Sequence, residues 1–182
     1  MEESGEIKAE TEWEPFEHQV AGHLYGEGKV GMLASKKGIV LKPVQAFPKG
    51  EKEVQFYESV FRSPNPSEDV SGLRRFLPQY YGIVELPDEQ AQQPSRYIGL
   101  ENLARNFKFP CILDVKIGKC SWDQHASQEK ISREKSKCPL QHETGFRILG
   151  IKVYNTQNQK YHFYDRHICR KISNTDELHK SK

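Results

Sequence analysis

The chain has 182 residues, with 27 Lys and Arg against 25 Asp and Glu, and 36% of its residues are hydrophobic. This length predicts one domain or two small lobes, and 9 Phe, 8 Tyr and 2 Trp can build a core despite a mean hydropathy of -0.78. No stretch approaches the roughly 20 apolar residues of a membrane-spanning helix. The acidic N-terminus lacks the apolar region of a secretory signal, so the 4 cysteines are predicted to be reduced thiols.

The charge is distributed unevenly along the chain. Residues 1–15 contain six acidic residues and one lysine, which predicts a disordered acidic tail. The remaining residues carry a net charge of +7. A basic body of this kind suits an anionic ligand, although an excess of this size does not identify one.

The first half of the chain after the tail alternates strand and helix signals. The predicted strands are Gly28–Ala34, Gly38–Val44, Gln79–Leu86 and Arg96–Leu100. A helix is predicted over Gly50–Phe61, because Val54, Tyr57 and Phe61 share one helical face. Residues 62–72 are rich in Pro, Ser and Gly and are predicted to be a loop.

The second half has the same mixed pattern. The predicted strands are Cys111–Ile117, Phe146–Tyr154 and Lys160–Tyr164. Ser127 is predicted to cap a helix that ends near Lys137, and a last short helix is expected near Ser173. Antiparallel strands with interspersed helices predict an α+β fold. The last strand and helix have no evident partner, so we expect the C-terminal half of the fold to be incomplete.

Lys42 ends the apolar strand run GIVLK and precedes the helix that carries Glu53. A strand lysine oriented by a helix glutamate is the arrangement with which kinases bind nucleotide phosphates. The alternative is an edge-strand lysine that points into water.

Asp114 and Lys116 interrupt the apolar run CILDVKI. Side chains two apart on a strand point to the same face, and burying unpaired charges costs several kcal/mol per ion. We therefore expect a cleft in which Asp114 accepts hydrogen bonds from hydroxyls and Lys116 binds a phosphate. The alternative is a mutual ion pair at the end of the strand.

The predicted helix after Ser127 carries Lys130, Arg133 and Lys137 within a sector of about 60°. Ammonium and guanidinium groups make charge-assisted hydrogen bonds to phosphate oxygens, so this face could bind a polyphosphate. The alternative is a solvated basic face, whose charge Glu134 reduces. A zinc site at Cys120, His125, Cys138 and His142 is a further alternative, although the order of the ligands is atypical.

Residues Pro110–Gly118 read PCILDVKIG and match the P-x-x-x-D-x-K-x-G signature of the inositol phosphate kinase family. This form of the signature most resembles the multikinase branch of that family. Other segments are similar to the same family: His18–His23, Leu41–Pro43, Glu53–Tyr57, Leu100–Leu103, Ala126–Lys130 and Gly145–Gly150. The resemblance implies a protein-kinase-like α+β fold, with an N-terminal antiparallel sheet lobe at 16–105 that binds nucleotide. A partial C-terminal lobe at 106–182 would contain the inositol-phosphate-binding segment.

The resemblance also implies roles for individual residues. Lys42 would contact the ATP phosphates and be oriented by Glu53. Glu101 and Leu103 would meet adenine through their backbone groups. Asp114 would bind the ribose, and Lys116 would bind the inositol phosphate and assist transfer. The remaining implied substrate ligands are Lys130, Arg133 and Lys137.

The implied reaction is transfer of the ATP γ-phosphate, with Mg²⁺, to a hydroxyl of an inositol phosphate. The family's metal-binding aspartate stands in an Asp-Phe context, and no Asp-Phe dipeptide occurs in this chain. The sequence therefore resembles the N-terminal part of such a kinase, and the activity of the 182 residues stays open. The alternative is a non-catalytic module that binds inositol phosphate or protein. We expect a monomer in the nucleus and cytoplasm, with no specific nucleic-acid partner.

Overall fold

The computed structural model describes residues 12–22, 31–87, 94–123 and 125–170. Its contacts divide the chain into unit 1, formed by Met1–Glu17 and His23–Phe107, and unit 2, formed by His18–Gly22 and Lys108–Lys182. The division lies two residues beyond the predicted boundary at 105/106. The segment His18–Gly22, which was assigned to the N-terminal lobe, groups with unit 2 instead. No helix in the described ranges is long and apolar enough to span a membrane.

Unit 1 contains a five-stranded antiparallel sheet with the strand order β1-β2-β3-β5-β4. Its strands are β1 (Glu14–Pro15), β2 (Leu33–Ala34), β3 (Ile39–Pro43), β4 (Tyr80–Leu86) and β5 (Ser95–Glu101). The turn between β2 and β3 has Gly38 at a φ of 85°, a left-handed conformation that glycine adopts without a steric penalty. The predicted pairing of these two strands is therefore confirmed.

The beginning of the sheet corrects the prediction of a disordered tail over residues 1–15. Glu14 and Pro15 pair with Ala34 and Leu33, so these two residues belong to the sheet. Residues 1–11 lie outside the described residues, as do 28–30, which were predicted to begin the strand Gly28–Ala34. The pairing joins residues about twenty positions apart, so no local pattern in the sequence predicts it.

Helix α1 (Lys49–Phe61) covers the predicted helical segment and packs on the sheet. Val54 and Tyr57 are buried in a cluster with Tyr80, Ile98 and Leu100. The predicted apolar face is thus the face that contacts the core, which fixes the position of the charged residues on α1.

The prediction of a loop over residues 62–72 is wrong at its end. Helix α2 (Glu68–Gly72) forms there, and a 3₁₀ helix, Leu73–Phe76, follows it. The Ser67 hydroxyl accepts a hydrogen bond from the Val70 amide, and a serine cap followed by two acidic residues favours a helix start. The Pro and Ser content of the segment obscured this signal.

Unit 2 contains a second antiparallel sheet, with the strand order β6-β7-β8. Its strands are β6 (Ile112–Ile117), β7 (Phe146–Asn155) and β8 (Lys160–Tyr164), and its helices are α3 (Gln128–Lys137), α4 (Gln141–Thr144) and α5 (Arg166–Cys169). The three strands and α3 were predicted. Helix α5 was not predicted, and the helix expected near Ser173 lies outside the described residues.

The first turn of α3 is capped by Ser127, whose hydroxyl accepts a hydrogen bond from the Lys130 amide at 3.2 Å. We expect Ser127→Ala to lower the free energy of unfolding by about 1 kcal/mol, because the mutation removes the cap. The matched control is Ser132→Ala in the exposed middle of the same helix, which removes no capping bond. Urea unfolding of the three proteins measures the difference, and equal midpoints for both variants would contradict the capping role.

Candidate functional site

The strand lysine and helix glutamate predicted in unit 1 are in contact. The Lys42 ammonium on β3 makes an ion pair with the Glu53 carboxylate on α1. The two side chains are 33% and 24% exposed, so the pair is partly shielded but open to a ligand. Burial and the charge of Glu53 both raise the pKa of the neighbouring Tyr57 phenol, which keeps that side chain neutral. The alternative of a lysine that points freely into water is wrong.

The predicted adenine-binding segment begins at Glu101, the last residue of β5. The Glu101 amide donates to the Gln79 carbonyl at 2.9 Å, and the Glu101 carboxylate accepts from the Gln79 amide at 3.2 Å. Leu103 is 57% exposed, and its amide has no hydrogen-bond partner in the ranges that the structure describes. The backbone of Leu103 can therefore bind a ligand, whereas the Glu101 amide is already paired within unit 1.

Asp114 and Lys116 lie in unit 2 on β6, which runs without interruption from Ile112 to Ile117. The bulge at this point is on β7, where the partner of Asp114 is Gly150 and the partner of Val115 is Ile148. The alternation along β6 therefore holds, and both charged side chains point to the same face. Lys116 is exposed and makes no ion pair with the described part of the chain, so the alternative of a mutual ion pair is wrong.

Residues 18–22, which we call the 18–22 segment, pack on β7 beside the partner position of Asp114. A Cβ atom built on Gly150 would lie 2.2 Å from the Val20 carbonyl oxygen. The His18 Nδ1 and Lys152 Nζ atoms are 3.2 Å apart. This close approach places the N-terminal segment directly against the strand that pairs with the Asp114-bearing strand.

Helix α3 carries the three predicted phosphate ligands, but two of them are already paired. The Lys130 ammonium donates to Asp123 Oδ2 at 2.6 Å, and this hydrogen bond is the main cause of the lowered pKa of Asp123. Lys137 makes an ion pair with Glu134. Arg133 is exposed, and its guanidinium has no partner among the described residues. The face is thus a mixture of cations and carboxylates, as the presence of Glu134 predicted.

Glu134 collects three hydrogen bonds. It accepts from Lys137, from the Ser121 hydroxyl at 3.1 Å and from Arg147 Nη2 at 3.4 Å. Burial acts to raise the pKa of this carboxyl, but the hydrogen bonds and the charge of Lys137 outweigh burial and lower the pKa to about 2. Glu134 is therefore ionised at neutral pH.

This lowered pKa makes the free energy of unfolding of unit 2 depend on pH in the acid range. The folded state holds the Glu134 pKa at about 2, against an ordinary value of 4.5, so the unfolded chain takes up the proton first as the pH falls. The stabilisation is expected to be complete above pH 4.5 and to be lost progressively towards pH 2. Urea unfolding of the protein and of Glu134→Gln across this range should show the difference between the two shrinking as the pH falls. A difference that stays constant with pH would exclude this role for Glu134.

The zinc alternative finds no support in the structure. No group of three His, Cys, Asp or Glu side chains in the described ranges is arranged to hold a metal ion. Cys138 and His142 line a cavity of about 560 Å³ together with Trp122 and Lys135. Cys120 and His125 do not line it, so the four proposed zinc ligands do not come together.

Two cations on β7, Arg147 and Lys152, were not predicted as site residues. Arg147 is 7% exposed and is the register partner of Lys116. Both cations interrupt the apolar run FRILGIKVY, as Asp114 and Lys116 interrupt theirs. The same criterion, applied to the second strand, would have found them.

Comparisons with known proteins show which proteins this chain is similar to. Residues 97–181 match the family model "Inositol polyphosphate kinase". The chain is 42% identical to the human inositol polyphosphate multikinase over 159 residues, which are 87% of this chain and 38% of the human protein. It is 34% identical to inositol polyphosphate multikinase alpha of Arabidopsis thaliana, over 85% of this chain and 52% of the plant protein. The chain thus spans 38% of the human relative and 52% of the plant relative.

A solved structure extends the agreement to three dimensions. The crystal structure of the inositol phosphate multikinase of S. cerevisiae in complex with ADP and Mn²⁺ superposes with a TM-score of 0.53 at 30% identity, covering 76% of this chain and 52% of that one. This likeness confirms the predicted α+β, kinase-like fold class. The resemblance first seen in the Pro110–Gly118 signature is confirmed as well. Residues 97–181 therefore match the inositol polyphosphate kinase family, and the chain is similar to multikinases of that family over most of its length.

Proposed function

We propose that this chain supplies the nucleotide-binding and inositol-phosphate-binding parts of an ATP-dependent inositol polyphosphate kinase. The observation that carries the proposal is the ion pair between Lys42 and Glu53. A partly shielded lysine held by a carboxylate offers a fixed positive charge, which is what binding of nucleotide phosphates requires. The crystallised yeast relative was solved with ADP and Mn²⁺, which supports a nucleotide and a divalent metal as ligands of the family.

The residues of each unit are proposed to bind different parts of the two ligands. In unit 1, Lys42 binds the phosphates of ATP, and the backbone of Leu103 binds the adenine. In unit 2, Asp114 accepts hydrogen bonds from the ribose hydroxyls, and the exposed ammonium of Lys116 binds a phosphate of the inositol and stabilises charge during transfer. Arg133 offers a second unpaired cation for the substrate. Lys130 and Lys137 also bind substrate phosphates, while their carboxylate partners Asp123 and Glu134 hold the two ammonium groups in place.

Mg²⁺ is proposed as the metal that accompanies ATP, because divalent cations neutralise the charge that develops on transferred phosphates. The described residues do not fit a metal site, since they contain no group of three His, Cys, Asp or Glu side chains that could hold an ion. No residue of this chain is therefore assigned to the metal.

We further propose that the protein acts as a monomer in the nucleus and cytoplasm, and that it has no specific nucleic-acid partner. For the absence of a specific nucleic-acid partner, the support is compositional. The basic body lacks the arginine-rich runs and the alternation of aromatic and basic residues that are typical of nucleic-acid-binding proteins.

Two measurements on the purified chain test the function. Calorimetric titration with ATP and with inositol 1,4,5-trisphosphate should show saturable binding of each, and Lys42→Met should weaken the first while Lys116→Ala weakens the second. Incubation with both ligands, Mg²⁺ and γ-labelled ATP then measures transfer. A labelled inositol phosphate identifies a kinase, whereas binding without product identifies the non-catalytic module. If neither ligand binds, the kinase function and the inositol-phosphate-binding module are both contradicted, and a protein-binding module is the remaining alternative.

A further inference from the structure

Arg147 is a buried cation with few partners. It is 7% exposed, and its Nη2 atom lies 3.4 Å from Glu134 Oε2. The Nε and Nη1 atoms are buried and have no hydrogen-bond partner among the described residues. A buried guanidinium without a counter-ion is strongly destabilising. Glu134 supplies the counter-ion that offsets the cost of burying Arg147.

The same carboxylate is fixed from a second side. Ser121 donates a hydrogen bond to Glu134 Oε2 at 3.1 Å, so Arg147 and Ser121 both bind this oxygen. Oε1 is left for the Lys137 ammonium. The side chain of Glu134 is 11% exposed. Because one oxygen is held by β7 and by the loop before α3, the direction in which the other oxygen points is fixed.

Lys137 is consequently a cation whose position on α3 is restrained by a carboxylate that is itself fixed. Its side chain is 30% exposed, and the ammonium keeps two further N–H donors beyond the one used by Glu134. A lysine that is already ordered loses less rotamer freedom when it binds an anion. The cluster of Glu134, Arg147 and Lys137 contains two cations and one carboxylate, so it retains one net positive charge.

The alternative reading is that Glu134 competes with the substrate for Lys137. Competition would require the carboxylate to release the ammonium when phosphate arrives. The two remaining donors of Lys137 make release unnecessary. Release would also leave Glu134 with fewer partners in a site where it is almost fully buried.

We propose that the buried pair of Glu134 and Arg147 positions Lys137 for contact with a substrate phosphate, without either residue touching the substrate. The proposal rests on the function proposed above. Glu134 and Arg147 are positioning residues, and Lys137 is the group that meets the phosphate.

The first test replaces the pair as a unit. Glu134→Leu together with Arg147→Met leaves no unpaired buried charge, and such replacements are often neutral or stabilising. We expect the thermal midpoint to be retained, while the affinity for inositol 1,4,5-trisphosphate falls about tenfold, the size of one charge-assisted hydrogen bond. The matched control is Glu129→Gln, which removes an exposed negative charge from the same helix and should leave the affinity unchanged.

A thermodynamic cycle shows whether the effect passes through Lys137. Adding Lys137→Ala to the double variant should cause no further loss, and the triple variant should bind as Lys137→Ala alone does. Additive losses, or an unchanged affinity with a lowered midpoint, would overturn the proposal and leave the pair a purely structural role. Glu134→Asp is the second variant in case the double variant does not fold. It keeps the charge but withdraws the carboxylate from Lys137, and it should also weaken binding.

A second readout needs no inositol phosphate and separates this proposal from the function. Lysine acetylation followed by mass spectrometry compares Lys137 with its exposed neighbour Lys135. Lys137 should react more slowly in the unmodified protein and as fast as Lys135 in Glu134→Asp. If Lys137 shows this protection but the protein binds no inositol phosphate, the proposed function fails and the positioning of Lys137 stands. Equal reactivity in the unmodified protein would refute the positioning itself.

Discussion

Replacing Lys42 by methionine is expected to weaken ATP binding by about ten- to a hundredfold. Hydrogen bonds to charged groups contribute about 1.5–3 kcal/mol, and each 1.4 kcal/mol is about tenfold in affinity. Methionine keeps an unbranched side chain one atom shorter than lysine and removes its charge. Glu53 is left without its ammonium partner, but it is 24% exposed and remains hydrated. The effect on the free energy of unfolding should therefore be small compared with the loss of affinity.

Calorimetric titration with ATP measures this effect, and Lys52→Met is the matched control. Lys52 lies on the exposed face of α1, so its replacement removes the same charge from the same neighbourhood without touching the ion pair. Glu53→Gln should give an intermediate loss, because it leaves the ammonium in place but no longer holds it. Equal losses of affinity in Lys42→Met and Lys52→Met would show that the charge of unit 1 matters and that the ion pair does not, and no loss in either variant would exclude Lys42 from ATP binding.

The elements that the sequence predicts well are those in which local pattern and tertiary packing agree. The apolar spacing of Val54, Tyr57 and Phe61 predicts α1 to within one residue, because that face is the one buried on the sheet. Ser127 predicts the start of α3, because a hydroxyl cap acts within one turn. The Glu14–Pro15 strand has no such local cause, since it exists through its pairing with β2.

The candidate site shows the same division. Charges within apolar strand runs predicted Asp114 and Lys116, and a lysine before a glutamate-bearing helix predicted the pair of Lys42 and Glu53. The partner of a buried charge is harder to predict, since it depends on which elements pack together. Glu134 was expected to dilute a solvated face, and its contact with Arg147 arises because its side chain on α3 reaches a residue of β7.

The 18–22 segment shows the limit most clearly. Its contact between His18 and Lys152 joins positions that are 134 residues apart. No pattern within the segment HQVAG predicts that its backbone packs against a glycine of a distant strand. That glycine, Gly150, gives no turn signal in the sequence either, because the backbone there is part of β7. The reason for a glycine at this position is the close approach of another backbone.

Gly150→Ala is accordingly expected to be one of the most destabilising single substitutions in unit 2. The new Cβ would lie 2.2 Å from the Val20 carbonyl oxygen and 3.0 Å from the Val20 carbonyl carbon. These are backbone atoms, so a side-chain rotation cannot relieve the contact, and the 18–22 segment must move away. Overpacking costs about 1–3 kcal/mol. Exposing Val20, which is 6% exposed in the native protein, adds about 1.5 kcal/mol.

Urea unfolding measures this loss, and Gly72→Ala provides the matched control. A Cβ at Gly72 meets no atom within 4 Å, and Gly72 ends a short helix, so alanine there should be neutral or slightly stabilising. If Gly150→Ala proves as stable as Gly72→Ala, the 18–22 segment does not pack on β7 as described. Because Gly150 is also the register partner of Asp114, the variant should weaken ATP binding as well.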